Sequence, residues 1–328
     1  MKLATMRDGT KDGRLFVVSR DLRTAVDAAG IASTLLDALE RWSVCAPKLH
    51  TLYASLNDKR CDNAVAFDEA AAMAPLPRAP QWCDASAFLN HGRLMERAFN
   101  MAAIPDAERI PVMYQGASDD FLGPRDDVPL PSEADGIDFE GEFGVILDEV
   151  PMGCSVDLAS TRVRLLVQLN DWSLRELGPR EMKTGFGFLQ AKPSTSFAPV
   201  AITPDELGPA WRDGRVCLNL HIDWNGKYFG HPNGREMNFS FCQLIAHAAR
   251  TRKLAAGTVI GSGTVSNVDR AVGSACISER RVLELLSDGS ITTPFMRFGD
   301  RVRMAATDGH GATPFGVIEQ RVVSPTRR

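Results

Sequence analysis

The sequence predicts an α+β protein, mainly β with some α, in which a small N-terminal domain precedes a larger strand-rich one. Three observations carry that prediction. Several stretches alternate apolar and polar residues with the period of a strand, only a few show helical spacing, and a proline-rich connector separates the two regions. Arg14 to Val18 reads as a strand after the Asp12-Gly13 turn, and residues 31 to 43, IASTLLDALERWS, show apolar positions at helical spacing. Ala74-Pro75-Leu76-Pro77-Arg78-Ala79-Pro80 suits an extended connector, because each proline disfavours helix in the residue before it. The boundary therefore falls there, giving domains of residues 1–75 and 76–328.

Beyond the connector the strands dominate. VRLLVQLND (163–171), RVCLNLHIDWNGK (215–227) and GTVIGSGTVSN (257–267) read as strands, the second ending in the hairpin signal Asn225-Gly226. Residues 239 to 252, FSFCQLIAHAARTR, return to helical spacing. The order is not an alternating strand–helix one, and neither a GxGxxG nor a P-loop pattern supports nucleotide binding.

Composition narrows the class further. With 44% hydrophobic and 24% charged residues, the 328-residue chain is ordinary globular protein rather than disordered. A net charge of −4 argues against a nucleic-acid partner. No apolar run approaches the ~20 residues that span a membrane. The first ten residues, MKLATMRDGT, are charged and lack the apolar core of a secretory leader. Seven scattered cysteines argue against a disulfide framework and against a zinc site, and fit free thiols in a reducing cytoplasm.

The candidate chemistry lies in carboxylates. In DFEGEFGVIL (138–147), Glu140 and Glu142 are two residues apart in a stretch that otherwise reads as a buried strand, so they share one face. Two like charges there either meet solvent or hold a cation between them. Asp171 ends the apolar run 165–169, and Asp84 follows the connector in WCDASAFLNH. If these four acids converge, their hard oxygens suit Mg²⁺, Ca²⁺ or Mn²⁺ rather than Zn²⁺. His91 would then stand beside the cation as a general base.

These residues together resemble the fumarylacetoacetate hydrolase family. Asp84 with His91, the run Glu140-Gly141-Glu142-Phe143, and Asn170-Asp171-Trp172-Ser173 with Arg175 carry the resemblance. So do Pro111 to Gly116, Lys192 and Gly261-Ser262-Gly263-Thr264-Val265-Ser266-Asn267, all in family order over roughly residues 80 to 280. The resemblance implies a catalytic β-roll behind a small N-terminal domain. It implies Asp84, Glu140, Glu142 and Asp171 as metal ligands, with Mg²⁺ or Ca²⁺ as cofactor and Mn²⁺ as an alternative. His91 would activate water, Lys192 and Arg175 would hold the developing oxyanion, and Tyr114, Thr264 and Ser86 would meet the substrate. Glu279 is the candidate to orient His91, although it falls about two residues later than in fumarylacetoacetate-cleaving members. The family's glutamine three places after the arginine is here Gly178.

The implied activity is hydrolysis of a C–C bond in a β-diketo acid of fumarylacetoacetate or fumarylpyruvate type, in aromatic-compound or tyrosine breakdown, by a cytoplasmic homodimer. Isomerisation, decarboxylation or hydration of a related oxo-acid is the alternative on the same scaffold, and a non-catalytic ligand-binding member is a further one. A substrate's terminal carboxylate would need a cationic partner, for which Arg93 and Arg97, spaced i, i+4, are the candidates.

Overall fold

The computed structural model describes residues 1–99 and 102–325. Its largest sheet has eleven strands, and the four that matter for the site lie side by side in the order Val163–Asn170, Gly141–Leu147, Val259–Gly261 and Trp82–Ala85. The strand Gly141–Leu147 pairs antiparallel with both its neighbours, while Val259–Gly261 runs parallel to Trp82–Ala85. All seven residues of Gly141–Leu147 are buried. A strand covered on both faces reads as a continuous apolar run, which is the pattern of Val145-Ile146-Leu147 and of Leu165-Leu166-Val167.

The two faces have different covers. Val145, Leu147 and Leu166 pack in one cluster with Leu220, Ile222, Met304 and Ile318 of a second, five-stranded sheet. Ile146, Leu165, Val167 and Leu169 pack in another with Leu15, Val17, Leu35, Leu39 and Leu49 of the N-terminal region. Successive residues alternating between two cores is the period-2 geometry of a strand.

The N-terminal strands Lys2–Met6, Arg14–Val18, Thr24–Asp27 and Val65–Ala66 do not form a sheet of their own. They continue the large sheet, joined to it where Lys2 and Leu3 pair antiparallel with Ile202 and Ala201. Helices α1 (Leu35–Glu40) and α2 (Trp42–Asn57) cover this end. The helix expected over 31–43 is thus two helices. Thr34 caps the first by accepting from Asp37 N–H, and the backbone breaks at Arg41 before α2 begins. The second was unreadable because Pro47 interrupts its pattern.

Downstream helices are α3 (Leu89–Phe99), α4 (Val156–Ser160), α5 (Gly178–Thr184), α6 (Phe241–Ala248) and α7 (Ile277–Asp288). The spacing in 239–252 yields α6, started by a capping box in which Ser240 accepts from Gln243 N–H while the Gln243 side chain bonds back to the Ser240 N–H. The expected hairpin turns at Asn225 and Gly226, both at positive φ. The expected strand over 257–267 shortens to Val259–Gly261, because the chain turns at Gly263 (φ +77°) to enter the site described below.

All seven cysteines are free, as their scatter suggested. Among the described residues, no helix is long and apolar enough to cross a membrane.

Candidate functional site

Three strands of the large sheet deliver acids to one place. Asp84 lies in Trp82–Ala85, Glu142 in Gly141–Leu147, and Asp171 directly follows Val163–Asn170. One oxygen of each of these three carboxylates lies within 4.8 Å of the others, and all three residues are buried. Gly261, between the strands of Asp84 and Glu142, makes the convergence possible. A Cβ at Gly261 would stand 2.4 Å from Asp84 Oδ1, so any side chain would displace the carboxylate. Gly263 then donates its N–H to the same Oδ1 at 3.0 Å from a left-handed conformation, with Ala85 O filling the space of a Cβ.

Electrostatics make the trio expensive without a counter-charge. Burial, then the charges of Asp171 and Glu140, push the Asp84 carboxyl up to about 8, against the pull of Lys192. Burial, Asp84 and Asp171 drive Glu142 well above the usual carboxylate range. Both oxygens of Glu142 are buried with no hydrogen-bond partner among the described residues. The two unpartnered oxygens of Glu142, converging with the carboxylates of Asp84 and Asp171, make a hard-oxygen donor set of the kind a divalent cation takes, so these residues fit one.

Glu140 stands beside this trio and is not part of it. It precedes the regular strand, in a single bridge to Cys276, with its N–H donating to Asn170 Oδ1 at 2.8 Å. Lys192 Nζ donates to Glu140 Oε2 at 2.7 Å and to Asp171 Oδ2 at 2.8 Å. Arg175 Nη2 lies 2.6 Å from Glu140 Oε1, near enough for an ion pair but not aligned as a hydrogen bond, which leaves its N–H directions unspent. Burial would raise the Glu140 carboxyl, but Lys192, Arg175 and, more weakly, His91 outweigh it and hold Glu140 well below its usual range. Burial opposes the charge on Lys192, yet Asp171 and Glu140 raise its pKa above normal, so it remains an ammonium.

His91 sits in the first turn of α3, whose Leu89 N–H is taken by Asn238 Oδ1 at 2.9 Å. Its Nδ1 lies 2.8 Å from Oε2 of Glu279, in the first turn of α7. Glu279 is 1% exposed. This contact fixes the ring and leaves Nε2 for other chemistry.

The remaining candidates divide. Tyr114 donates its hydroxyl to Asp171 Oδ2 at 2.6 Å, and burial together with Asp171 pushes its pKa well up, so it stays protonated. Thr264 follows Gly263 and is buried. Ser86, half-buried, follows the Asp84 strand and donates its N–H to Val112 O at 2.9 Å. Arg93 and Arg97 are both exposed, and Arg93 pairs with Glu108. The expectation that they meet a buried substrate carboxylate does not hold for Arg93: its guanidinium is taken by an exposed acid on the surface.

Several contributors escaped the sequence reading. Thr195 donates to Asp171 Oδ1 at 2.8 Å from a buried position. Glu181 of α5 accepts the N–H groups of Leu189, Gln190 and Ala191, anchoring the loop that leads to Lys192. Nothing in their local sequence distinguishes them. Asp138 is different, for it continues the alternate-position acids 138, 140 and 142. Its Oδ1 accepts from Ile277 N–H at 2.7 Å, and its Oδ2 accepts from Ser278 N–H at 2.9 Å and Arg175 Nε at 2.8 Å. Burial pushes the Asp138 carboxyl up, against Arg175 and the helix N–H groups.

Known proteins match this arrangement. A profile for the C-terminal domain of fumarylacetoacetate hydrolase matches residues 81–323, and one for a fumarylacetoacetase N-terminal domain matches residues 1–78. The chain belongs to the fumarylacetoacetate hydrolase family. A 2,4-didehydro-3-deoxy-L-rhamnonate hydrolase of Sphingomonas sp. (strain SKA58) is 31% identical over 161 residues, which are 48% of this chain and 54% of that protein. The match thus spans about half the length of this curated relative. Maleylpyruvate hydrolase from Sphingobium sp. SYK-6, solved with manganese(II) and pyruvate, superposes with a TM-score of 0.65 at 17% identity, covering 99% of this chain and 100% of that one. A 2-hydroxyhepta-2,4-diene-1,7-dioate isomerase from Mycobacterium marinum superposes with a TM-score of 0.62 at 15% identity over 100% of both chains. Hydrolases and an isomerase thus share this family fold.

The raised carboxyls set a proton linkage. Near pH 7 the metal-free trio retains protons that a cation must displace, so binding should release protons and tighten as pH rises through about 8. Calorimetry in buffers of different ionisation enthalpy measures the release. A binding enthalpy independent of buffer would contradict it.

Proposed function

We propose that this family member is a divalent-cation-dependent hydrolase that cleaves a C–C bond in a β-diketo acid. The observation that carries the reading is the His91–Glu279 contact beside the acidic trio. A module that only binds its ligand has no use for a base whose ring is held by a buried carboxylate.

Asp84, Glu142 and Asp171 would hold the cation, Mg²⁺, Ca²⁺ or Mn²⁺, with Glu140 adjoining them. When bound, the cation supplies Lewis-acid polarisation of substrate oxygens. His91 takes the proton of a water through Nε2, the resulting hydroxide adds to the distal carbonyl, and the C–C bond beside that carbonyl breaks with its electron pair leaving on the departing acid, which takes up a proton. The Glu279 carboxylate at Nδ1 offsets the positive charge of the imidazolium that forms. Arg175 and Lys192 lie where negative charge develops on the departing acid, as permanently charged donors. Lys192 shares Asp171 Oδ2 with Tyr114, which holds its ammonium beside the acidic trio. Thr264, next to the Gly263 that bonds Asp84, and Ser86, two residues after Asp84, are proposed to meet the rest of the chain of the acid.

Incubation of the cation-loaded protein with acetylpyruvate, fumarylpyruvate and fumarylacetoacetate, with products identified by NMR, tests the proposal. Pyruvate or acetoacetate released together with the second acid is expected. A product that keeps every carbon would make the protein an isomerase or hydratase, and released CO₂ would make it a decarboxylase.

A further inference from the structure

The most heavily bonded acid near the site belongs neither to the trio nor to the base. Asp138 is 0% exposed and satisfies three donors with its two oxygens: the first two N–H groups of α7 and Arg175 Nε. These bonds join two parts of the machinery that share no covalent neighbourhood. One is Arg175, whose Nη2 faces Glu140. The other is the first turn of α7, which bears Glu279 and through it His91. Cys276 Sγ takes the third free N–H of that turn, from Glu279 itself. Every early N–H of α7 is therefore spent on a buried acceptor, and a carboxylate at a helix N-terminus is also favoured by the helix dipole.

We propose that Asp138 is a positioning residue that sets the base pair His91–Glu279 and the cationic donor Arg175 at a fixed separation. The inference rests on the functional reading above for the roles of those residues. The warrant is geometric. The planar carboxylate holds the α7 turn on both oxygens and the guanidinium on one, so neither partner shifts without straining the other. A group that orients two reacting parts acts on the reaction rather than on substrate capture, because both parts act as charge develops.

Asp138→Asn discriminates. The amide keeps the shape but turns an N–H₂ towards either Arg175 Nε–H or the α7 N–H groups, so donor meets donor. The expected result is a kcat lower by about 10²-fold, the scale of a 1 Å misplacement, with KM and Mn²⁺ affinity within threefold of the parent. A residue important only for folding would lower the melting temperature and leave kcat per folded molecule unchanged, which would overturn the proposal. So would losses in Asp138→Asn and Arg175→Gln that multiply in the double variant, since Asp138 acts partly through Arg175. Ser278→Pro removes one α7 donor at a first-turn position that tolerates proline. It serves if Asp138→Asn does not fold, with a several-fold kcat loss expected and an unchanged kcat overturning the idea.

Oxalate, a planar stand-in for the enolate of pyruvate, gives a readout without turnover. Its affinity for the Mn²⁺-loaded protein should fall about tenfold in Asp138→Asn and in Arg175→Gln, and no further in the double variant. If the parent cleaves no diketo acid yet oxalate follows this pattern, the functional reading fails and the positioning role stands. Unchanged oxalate affinity in Asp138→Asn removes the role.

Discussion

Glu142→Gln is expected to abolish divalent-cation binding while raising the melting temperature of the metal-free protein. The two effects have one origin. A buried polar group without a partner costs about 1–3 kcal/mol, and both oxygens of Glu142 are in that position. The amide removes a like charge beside Asp84 and Asp171 and offers them an N–H donor, and at roughly 2–4 °C per kcal/mol that relief raises the transition by several degrees. The pH dependence follows from the raised carboxyl. Between the unfolded value near 4 and its elevated folded value, the folded state binds the extra proton, so stability of the metal-free protein falls as pH rises. The gain from Glu142→Gln should therefore be larger at pH 9 than at pH 6. Asp171→Ala should also lose the cation but melt lower, because Asp171 accepts from Tyr114, Lys192 and Thr195, and its removal leaves the buried Lys192 ammonium with Glu140 alone. Titration calorimetry and scanning calorimetry on both variants check the pair. Unchanged Mn²⁺ affinity in Glu142→Gln would remove the trio as the cation site.

His91→Ala should lower turnover by about 10²- to 10⁴-fold, the usual worth of a positioned general base, and leave the cation isotherm intact. Glu279 then lies buried without its partner, so the melting temperature should drop by a few degrees. Glu279→Gln keeps the shape of the pair but loses its charge, and should show a smaller loss of kcat. Activity that survives His91→Ala would place the base elsewhere, and loss of cation binding with it would make His91 part of the cation site.

Much of this site could be read from residue order, and the reasons differ by residue. Asp84, Glu142 and Asp171 stand where apolar runs meet polar chemistry, and a carboxylate at such a place has few structural reasons to be there. Glu140 shows the limit of that logic. Period two places it on the same face as Glu142, but regular pairing begins only at Gly141, and the cations of Lys192 and Arg175 decide which way its carboxylate is held. The partner of His91 is 188 residues away in the chain, so only a motif could suggest Glu279, and folding had to bring α7 against α3. Thr195 and Glu181 were invisible because their roles are hydrogen bonds to groups supplied by other segments. Arg93 of α3 shows the same limit, since its guanidinium pairs with Glu108 at the surface. Its i, i+4 spacing from Arg97 was real, but helix spacing says nothing of which face meets solvent.

In the fold, strands with clean alternation were legible, and the proline connector was visible as a change of composition. What no local pattern could reveal is that the first strands complete the large sheet. That junction has a consequence for how the protein is made. The hydrogen bond of Met1 with Thr203 closes across 202 positions, and the pairing of Lys2 with Ile202 spans almost as many. At about 5–20 residues per second, the opening strand waits roughly 10 to 40 s on the ribosome before its neighbour is synthesised. Through that interval its pairing edge and the apolar side chains of Leu15, Val17 and Leu49 lack the strand that will cover them. Such a nascent chain has a long-range closure to make late, which slows folding and leaves it exposed to edge-to-edge association in the meantime. Its yield in a cell should then respond to the pace of translation and to chaperone capacity.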